Sequence, residues 1–171
     1  MTPRAIEDLV CNWFEARFPG RPDPGCHATV PAEVRAIIFT SMVEGEISNG
    51  GLPQLLWNTF EQWRSVLDDA EMGYRLFGAM RHEQAISDFR LLFTAFEDEC
   101  RRHLEQSSCG TWCGYGNRVM KTAHENLFFT QEGLQMRHAW ISANAKKVLL
   151  LLEAQPSAPP NPAHRFPSDE F

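Results

Sequence analysis

The sequence predicts an all-α protein, a single-domain irregular bundle of about six to seven helices. Apolar residues recur at spacings of three and four along most of the chain, which is the period of one face of an α-helix. No segment shows a convincing alternation of apolar and polar residues, so strands are not expected. The length of 171 residues and the hydrophobic fraction of 43% fit one domain with a full core.

The first predicted helix begins after Pro3 and carries an apolar stripe from Ile6 to Phe14. Residues 19–25 are rich in proline and glycine, so they should end this helix and start a loop. Apolar stripes then predict further helices over about 31–48, 53–60, 63–80 and 82–106.

The C-terminal part of the chain predicts two more helices. Glycine-rich residues 107–117 indicate a connection, and the helices follow over about 118–129 and 131–153. Residues 156–171 contain five prolines and little apolar material, which is typical of a disordered tail. The folded domain is therefore expected to span residues 1–155.

The most informative stretch of the chain runs from Glu46 to Asn58 and contains Asn49-Gly50-Gly51. Two glycines permit backbone angles that other residues avoid, so the sequence predicts a tight turn between two helices. Because buried amides must find partners, Gln54 or Asn58 is expected to hydrogen-bond backbone nearby.

This stretch resembles the signature of the bacterial DNA-mimic-protein-like domain family, which is Glu-Val-x-Asn-Gly-Gly-Phe-x-Gln-Tyr-Phe-x-Asn in its usual form. Six positions match: Glu46, Asn49, Gly50, Gly51, Gln54 and Asn58. Residues 70–79 are similar to the family's second block, and the resemblance covers roughly residues 30–105. One interpretation of the six matching residues is that they build the fold and contact no partner.

The resemblance implies an acidic helical protein that imitates the charge of double-stranded DNA and occupies a DNA-binding protein. It provides no catalytic residue and no cofactor, and it raises homodimer formation as a hypothesis. The charge distribution agrees with an acidic binding surface, because residues 33–105 contain 13 Asp and Glu against 7 Arg and no Lys. Such a surface repels nucleic acid and favours a basic protein partner, so direct binding of DNA or RNA is not expected.

Two groups of acidic residues are the candidate partner contacts. The first contains Glu61, Asp68, Asp69 and Glu71, and the second contains Glu97, Asp98 and Glu99. Asp68 and Glu71 share a helical face at a spacing of three. The partner would be a transcription regulator or a nuclease toxin, and the chain would be an immunity protein in the second case. The alternative is that these charges only face solvent.

A second class of function would use the cysteines and histidine in residues 100–113. Cys100, His103, Cys109 and Cys113 have the ligand chemistry of a zinc site or of a Cys/His-dependent enzyme, but their spacing matches no common zinc finger. The sequence therefore predicts no metal, no cofactor and no enzymatic activity. An odd number of cysteines, no secretory leader and no apolar run long enough for a membrane span favour the bacterial cytoplasm.

Overall fold

The computed structural model describes residues 1–18, 29–122 and 124–154. Within them the chain forms six α-helices and no strand, which confirms the predicted all-α single domain. The helices are α1 (Pro3–Arg17), α2 (Ala32–Asn58), α3 (Trp63–Phe77), α4 (Met80–Gln106), α5 (Cys109–Val119) and α6 (Glu132–Glu153). Two short 3₁₀ turns cover Phe60–Gln62 and Glu125–Phe129. The predicted tail at 156–171 and the loop at 19–25 lie outside the described residues.

The helix α1 begins where the sequence predicts. The side chain of Thr2 accepts a hydrogen bond from the backbone N–H of Ala5 at 3.2 Å, and Pro3 occupies the first helical turn, where a missing N–H costs nothing. Its inward face is Ile6, Val10 and Phe14, and it packs against α2 and α6. The first and last helices of the described chain are therefore neighbours in the fold.

The helix α2 is the centre of the described bundle, because it packs against each of the other five helices given above. Its buried face includes Val34, Ile37, Val43 and Ile47, all fully shielded from solvent. The backbone leaves helical geometry at Gly50 and Gly51 and then resumes it. The predicted separate helix over 53–60 is thus the second half of α2, joined to the first half by a kink.

The helices α3 and α4 are consecutive in the chain and pack against each other, and α3 also lies against α2. A Cβ atom at Gly73 would stand 2.9 Å from the backbone oxygen of Ala36, so only glycine permits this approach of α3 to α2. Gly78 ends α3 in the left-handed conformation, with φ of 75°, three residues before the predicted end.

The predictions for residues 107–129 were wrong. The expected connection over 107–117 is the helix α5, which begins at a cap where the Ser108 side chain accepts from the N–H of Thr111. Tertiary packing outweighs the low helix propensity of its glycines, because the fully buried Trp112 lies between α5 and α2. The expected helix over 118–129 is absent from its described residues, where a 3₁₀ turn buries the adjacent residues Leu127 and Phe128.

Candidate functional site

The kink in α2 depends on Gly51. This residue has φ of 76°, in the left-handed region that side chains rarely adopt, and a Cβ here would lie 2.9 Å from side-chain oxygens of both Asn117 and Glu125. Gly50 has φ of −157°, which other residues adopt, but a Cβ there would stand 2.1 Å from the side-chain oxygen of Gln54. The two glycines are therefore needed for different reasons, namely backbone angle and space.

The amides of the motif bind a carboxylate across the kink. Gln54 Nε2 donates to Glu46 Oε2 at 2.9 Å, and Asn58 Nδ2 donates to the same oxygen at 2.7 Å. The prediction that these amides bind backbone was wrong, because an ionised carboxylate is a stronger acceptor than a peptide carbonyl. The side chain of Asn49 is exposed and makes no hydrogen bond to the described part of the chain.

The second half of α2 is also anchored to α5 and to the second 3₁₀ turn. The indole N–H of Trp112 donates to the backbone oxygen of Pro53 at 2.7 Å, and Pro53 packs directly on Gly116. The carboxylate of Glu125 accepts from the N–H of Leu52 at 3.4 Å. The contacts of Gly50, Gly51, Gln54 and Asn58 are thus all inside the molecule, which supports the structural interpretation of the motif.

A buried cluster of charged and polar side chains joins α1, α2 and α6. Arg137 of α6 is 2% exposed, and its Nη2 lies 2.9 Å from both Glu7 Oε1 and Glu44 Oε2. His138 Nε2 lies 2.6 Å from Glu7 Oε2, and Tyr74 donates to Glu44 at 3.2 Å. The sequence does not predict this cluster. These residues, Glu7, Glu44 and Arg137, are far apart in the chain. In the sequence Glu7 looks like an ordinary surface residue beside an apolar stripe, so nothing marks it as buried.

The ionisation of Glu7 follows from this environment. Burial by itself would raise the pKa of the carboxyl, but the charge of Arg137 and hydrogen bonds with His138 and Ser41 outweigh it and lower the pKa below its ordinary value. Burial by itself would lower the pKa of Arg137, but the carboxylates of Glu44 and Glu7 outweigh it and raise the pKa above its ordinary value. Glu7 and Arg137 are therefore both charged at neutral pH.

The first group of candidate contacts is largely occupied by arginines of the same chain. Asp68 accepts from Arg90 at 2.6 Å, and Glu71 accepts from the same arginine at 2.7 Å. Asp69 is only 9% exposed and binds Arg35 at 2.9 Å, so it points into the domain rather than to the edge of an outer face. Glu61, at the first 3₁₀ turn, is exposed and forms no ion pair within the described residues.

The second group lies near the C-terminal end of α4 and is partly paired. Glu97 binds Arg64 of α3 through both oxygens, and its pKa is lowered mainly by that hydrogen bonding. Glu99 pairs with Arg102. Asp98 is exposed and has no ion pair in the described part of the chain.

The ion pairs determine where negative charge remains available. All seven arginines of residues 33–105 pair with carboxylates, as the individual contacts show. Four carboxylates in this segment have no ion-pair partner among the described residues, namely Glu46, Glu61, Asp98 and Glu105, and the partner of Asp88 is a histidine, His124. The exposed, unpaired charges of the α3–α4 side are therefore Glu61, Asp98 and Glu105, and the first two are among the candidate contacts predicted from the sequence.

The three cysteines of residues 100–113 lie close together, and burial raises the pKa of two of them. Cys109 and Cys113 occupy successive turns of α5, with their sulfur atoms 3.6 Å apart. Burial, with a contribution from Cys109, raises the pKa of Cys113 to about 12, and burial raises that of Cys100 to about 12. His103 is directed towards Trp112 and Tyr115 instead. Within the described ranges, no three His, Cys, Asp or Glu side chains are placed to hold a metal ion.

A groove of about 470 Å³ lies between α1 and α2 and reaches the first 3₁₀ turn. We call it the α1–α2 groove. Its wall combines aromatic and apolar side chains with two carboxylates, and it includes Phe14, Glu15, Phe18, Phe39, Met42 and Glu46. The sequence does not predict this groove, because its walls come from three elements whose relative placement depends on the kink at Gly51.

Comparisons with known proteins place the chain in a family. No helix of the described residues is long and apolar enough to cross a membrane. No significant match was found among curated proteins or among solved structures. The family model of the DMP19-like proteins matches residues 28–144, which contain the kink motif, the α3–α4 pair and Arg137. Since this match extends over more than half of the chain, the protein belongs to the DMP19-like protein family.

Proposed function

We propose that this protein is a non-enzymatic binding module whose acidic α3–α4 side occupies a basic, nucleic-acid-binding site on another protein. The observation that carries the proposal is the excess of carboxylates over arginines in residues 33–105. After every arginine of that segment has formed an ion pair, Glu61, Asp98 and Glu105 still face solvent without one in the described structure. Membership of the DMP19-like family, with its association with DNA mimicry, supports the same function.

The mechanism needs only charge and shape. A site that binds duplex DNA presents lysines and arginines spaced to meet phosphates, and carboxylates on a rigid helical surface can take the place of those phosphates. The in-chain ion pairs, such as Arg90 with Asp68 and Glu71, hold the surrounding side chains in fixed positions. The acids named from the sequence then form a patterned surface, in which paired residues are a scaffold and unpaired residues supply the net charge.

Two types of partner share the required basic surface. One is a transcription regulator that would be displaced from its DNA. The other is a nuclease toxin, whose inhibition would make this chain an immunity protein. A homodimer of the chain would double the length of the acidic surface, and both partner types are compatible with it.

The absence of catalysis is supported by the state of the thiols. A nucleophilic cysteine needs a thiolate at neutral pH, whereas the pKa values of Cys100 and Cys113 are raised to about 12. The histidine nearest to them in sequence, His103, lies against Trp112 and Tyr115. This arrangement favours a binding role over a Cys/His-dependent enzyme centred on residues 100–113.

The test uses displacement of DNA from a partner. A DNA-binding protein captured with the tagged chain is loaded with a fluorescent duplex, and the chain is titrated in across a series of salt concentrations. We expect release of the duplex, and we expect the double variant Glu61→Lys with Asp98→Lys to be about ten-fold or more weaker. Asp8→Lys with Glu153→Lys is the control, because it makes the same change in net charge on α1 and α6.

Two results would reject the proposed function. One is binding that is independent of salt, since an exposed electrostatic surface must weaken as ions screen it. The other is equal loss in the control and in the Glu61 and Asp98 variant, which would show only a response to net charge. Reversal of Asp68, Asp69 and Glu71 is a poorer test, because it also breaks ion pairs within the fold.

A further inference from the structure

Two cysteines of α5 face each other at its N-terminal end. Cys109 and Cys113 are four positions apart, which places them on one face of the helix, and their sulfur atoms are 3.6 Å apart. Both are free thiols that are partly accessible to solvent, whereas Cys100 is fully buried. We call Cys109 and Cys113 the α5 thiol pair. It shares no residue with the exposed acids of the α3–α4 side.

The distance between the two sulfur atoms fits an ion that is bound by both. Zinc(II) binds cysteine sulfur at about 2.3 Å in tetrahedral sites. Two sulfur atoms 3.6 Å apart then subtend an angle of about 100° at such an ion, close to the tetrahedral angle of about 109°. A sulfur-binding ion can therefore bridge the pair without a change in the helix backbone.

A disulfide bond fits the same pair poorly. The Cβ atoms of a disulfide lie about 3.5–4.5 Å apart, whereas residues four apart on a helix hold their Cβ atoms about 5–6 Å apart. Closing the bond would therefore unwind the first turn of α5. This change is opposed by the cap, where the Ser108 side chain accepts from the N–H of Thr111, and by the buried Trp112, whose indole donates to Pro53.

The electrostatic surroundings of the α5 thiol pair favour a cation. Burial raises the pKa of Cys113 to about 12, and its hydrogen bond with Cys109, the charge of Cys109 and the charge of Glu46 add to the increase. Two neighbouring thiolates repel each other, and a cation bound to both removes this repulsion and displaces the two protons. The carboxylate of Glu46 attracts a cation in the same way.

From this geometry we infer that the α5 thiol pair is a binding site for a sulfur-binding metal or metalloid ion, the class that includes cadmium(II), zinc(II) and trivalent arsenic. Cys109 and Cys113 each bind through sulfur and release one proton. Within the described ranges no three His, Cys, Asp or Glu side chains are placed to hold an ion, so water or a small ligand completes the coordination. The site uses neither Glu61, Asp98 nor Glu105, so it stands whether or not the acidic α3–α4 side displaces DNA.

Native mass spectrometry and ultraviolet absorption test the site on the full chain under reducing conditions. The chain carries Cys11→Ser and Cys26→Ser, so that the cysteines of residues 100–113 are the only ones present. Phenylarsine oxide is the first probe, because its arsenic exchanges one oxygen for two thiolates and releases one water, with no change of oxidation state. Cadmium(II) is the second probe, because its bonds to thiolate absorb in the ultraviolet.

We expect one molecule of either probe to bind per chain. Cadmium(II) should bind at least about ten-fold more tightly than zinc(II), because two thiolates favour the softer ion and zinc(II) lacks its other two protein ligands here. Magnesium(II), which prefers oxygen ligands, should not bind to the pair. The comparison of the organic arsenical with the free metal ions shows which member of the class the pair accepts best.

The protein variants locate the site. Cys109→Ser and Cys113→Ser should each weaken the binding of cadmium(II) at least about ten-fold and prevent the arsenic adduct. The matched control is Cys113→Ser with Gly114→Cys, which keeps the number of thiols but moves one off the shared face. A Cβ atom at Gly114 meets nothing within 4 Å, so the fold should tolerate this change. Cys100→Ala should leave the binding of both probes unchanged.

Three results would overturn the inference. One is the absence of saturable binding of both probes to the reduced, folded chain. Another is undiminished binding in Cys113→Ser with Gly114→Cys, since any two nearby thiols would then suffice. The third is a loss in Cys100→Ala as large as in Cys109→Ser, which would place the ion elsewhere. Circular dichroism verifies that each variant is helical, and the variant with the shifted thiol decides the question if Cys100→Ala unfolds.

Discussion

At the scale of single residues, Gly51 controls how the central helix changes direction. Other residues are disfavoured at this position for two reasons. The φ of 76° is one that side chains rarely permit, and an added Cβ atom would lie 2.9 Å from two side-chain oxygens. Everything that follows it in α2, including the Leu52, Leu55 and Leu56 core face, takes its direction from this backbone. Gly51 therefore contributes to the fold through its backbone conformation alone, since it has no side chain.

We predict that Gly51→Ala lowers the free energy of unfolding by about 1–3 kcal/mol, from backbone strain and the clash with Asn117 and Glu125. Gly45→Ala is the matched control in the same helix, because a Cβ there meets nothing within 4 Å. It should raise stability by about 0.5–1 kcal/mol. Urea unfolding of both variants measures the difference. Equal midpoints would contradict the role of Gly51.

The carboxyl of Glu7 links stability to pH. Its pKa is lower in the folded chain than the ordinary value of 4.5, so the unfolded chain takes up its proton first as the pH falls. The stabilisation from Glu7 is complete well above that ordinary value. It is lost as the pH falls from about 4.5 through the lower folded-state pKa.

We therefore predict that Glu7→Gln is destabilised by about 1–3 kcal/mol at pH 7 and that its difference from the wild type shrinks below about pH 4.5. Unfolding free energies from pH 7 to pH 3 give the measurement. Glu153→Gln serves as the reference for the loss of a carboxylate on the surface. A difference that stays constant across this pH range would show that Glu7 titrates normally.

At the scale of elements, the sequence predicted helices where a stripe of large apolar residues is present and failed where glycines dominate. α1, α3, α4 and α6 follow such stripes, and their observed ends differ by a few residues from the predicted ones. α5 contains three glycines within eleven residues and was taken for a connection. What makes it helical is the packing of Trp112 and Gly116 on Pro53, and those contacts join residues about sixty positions apart.

The same distinction applies to the candidate sites. The motif from Glu46 to Asn58 could be recognised because its residues are contiguous and glycine has a special backbone role. The partners of the acids could not, since Arg64 with Glu97 and Arg90 with Asp68 meet only after α3 and α4 pack together. The α1–α2 groove and the cluster around Arg137 likewise depend on tertiary placement.

The cluster around Arg137 holds three helices together. Arg137→Met leaves Glu7 and Glu44 buried without their common cation, and we predict a loss of about 3–5 kcal/mol in unfolding free energy. Arg81→Met is the control, because its ion pair with Glu132 is largely exposed and should contribute little. Denaturant unfolding compares the two. A loss in Arg137→Met no larger than in Arg81→Met would mean that the buried charges are stabilised by other groups.

At the scale of the whole molecule, the net charge of −6 is concentrated in the middle of the chain. Within residues 33–105 its exposed, unpaired part lies on the 3₁₀ turn before α3 and on α4. The sequence sufficed to find this asymmetry, because charge is additive along the chain. It could not show which acids are neutralised, because ion pairing depends on the packing of α3 against α4.

We predict that the protein does not bind duplex DNA itself. Fluorescence anisotropy of a labelled 30-base-pair duplex should stay constant upon addition of the chain at physiological salt, because like charges repel over about 8 Å. The double variant Glu61→Lys with Asp98→Lys is the comparison that reduces the repulsion. Tight, salt-sensitive binding of the wild-type chain would contradict an acidic module and indicate a basic surface formed elsewhere.

The contacts between α1 and α6 also have a kinetic consequence. Glu7 and Arg137 are 130 positions apart, so bringing them together closes nearly the whole chain into a loop. The pairing of α2 with α3 joins sequence neighbours and can form first. We therefore expect Arg137→Met to refold at almost the wild-type rate in stopped-flow measurements and to unfold much faster. The cluster is thus expected to form late in folding, so that it determines the lifetime of the folded state and hardly affects the folding rate.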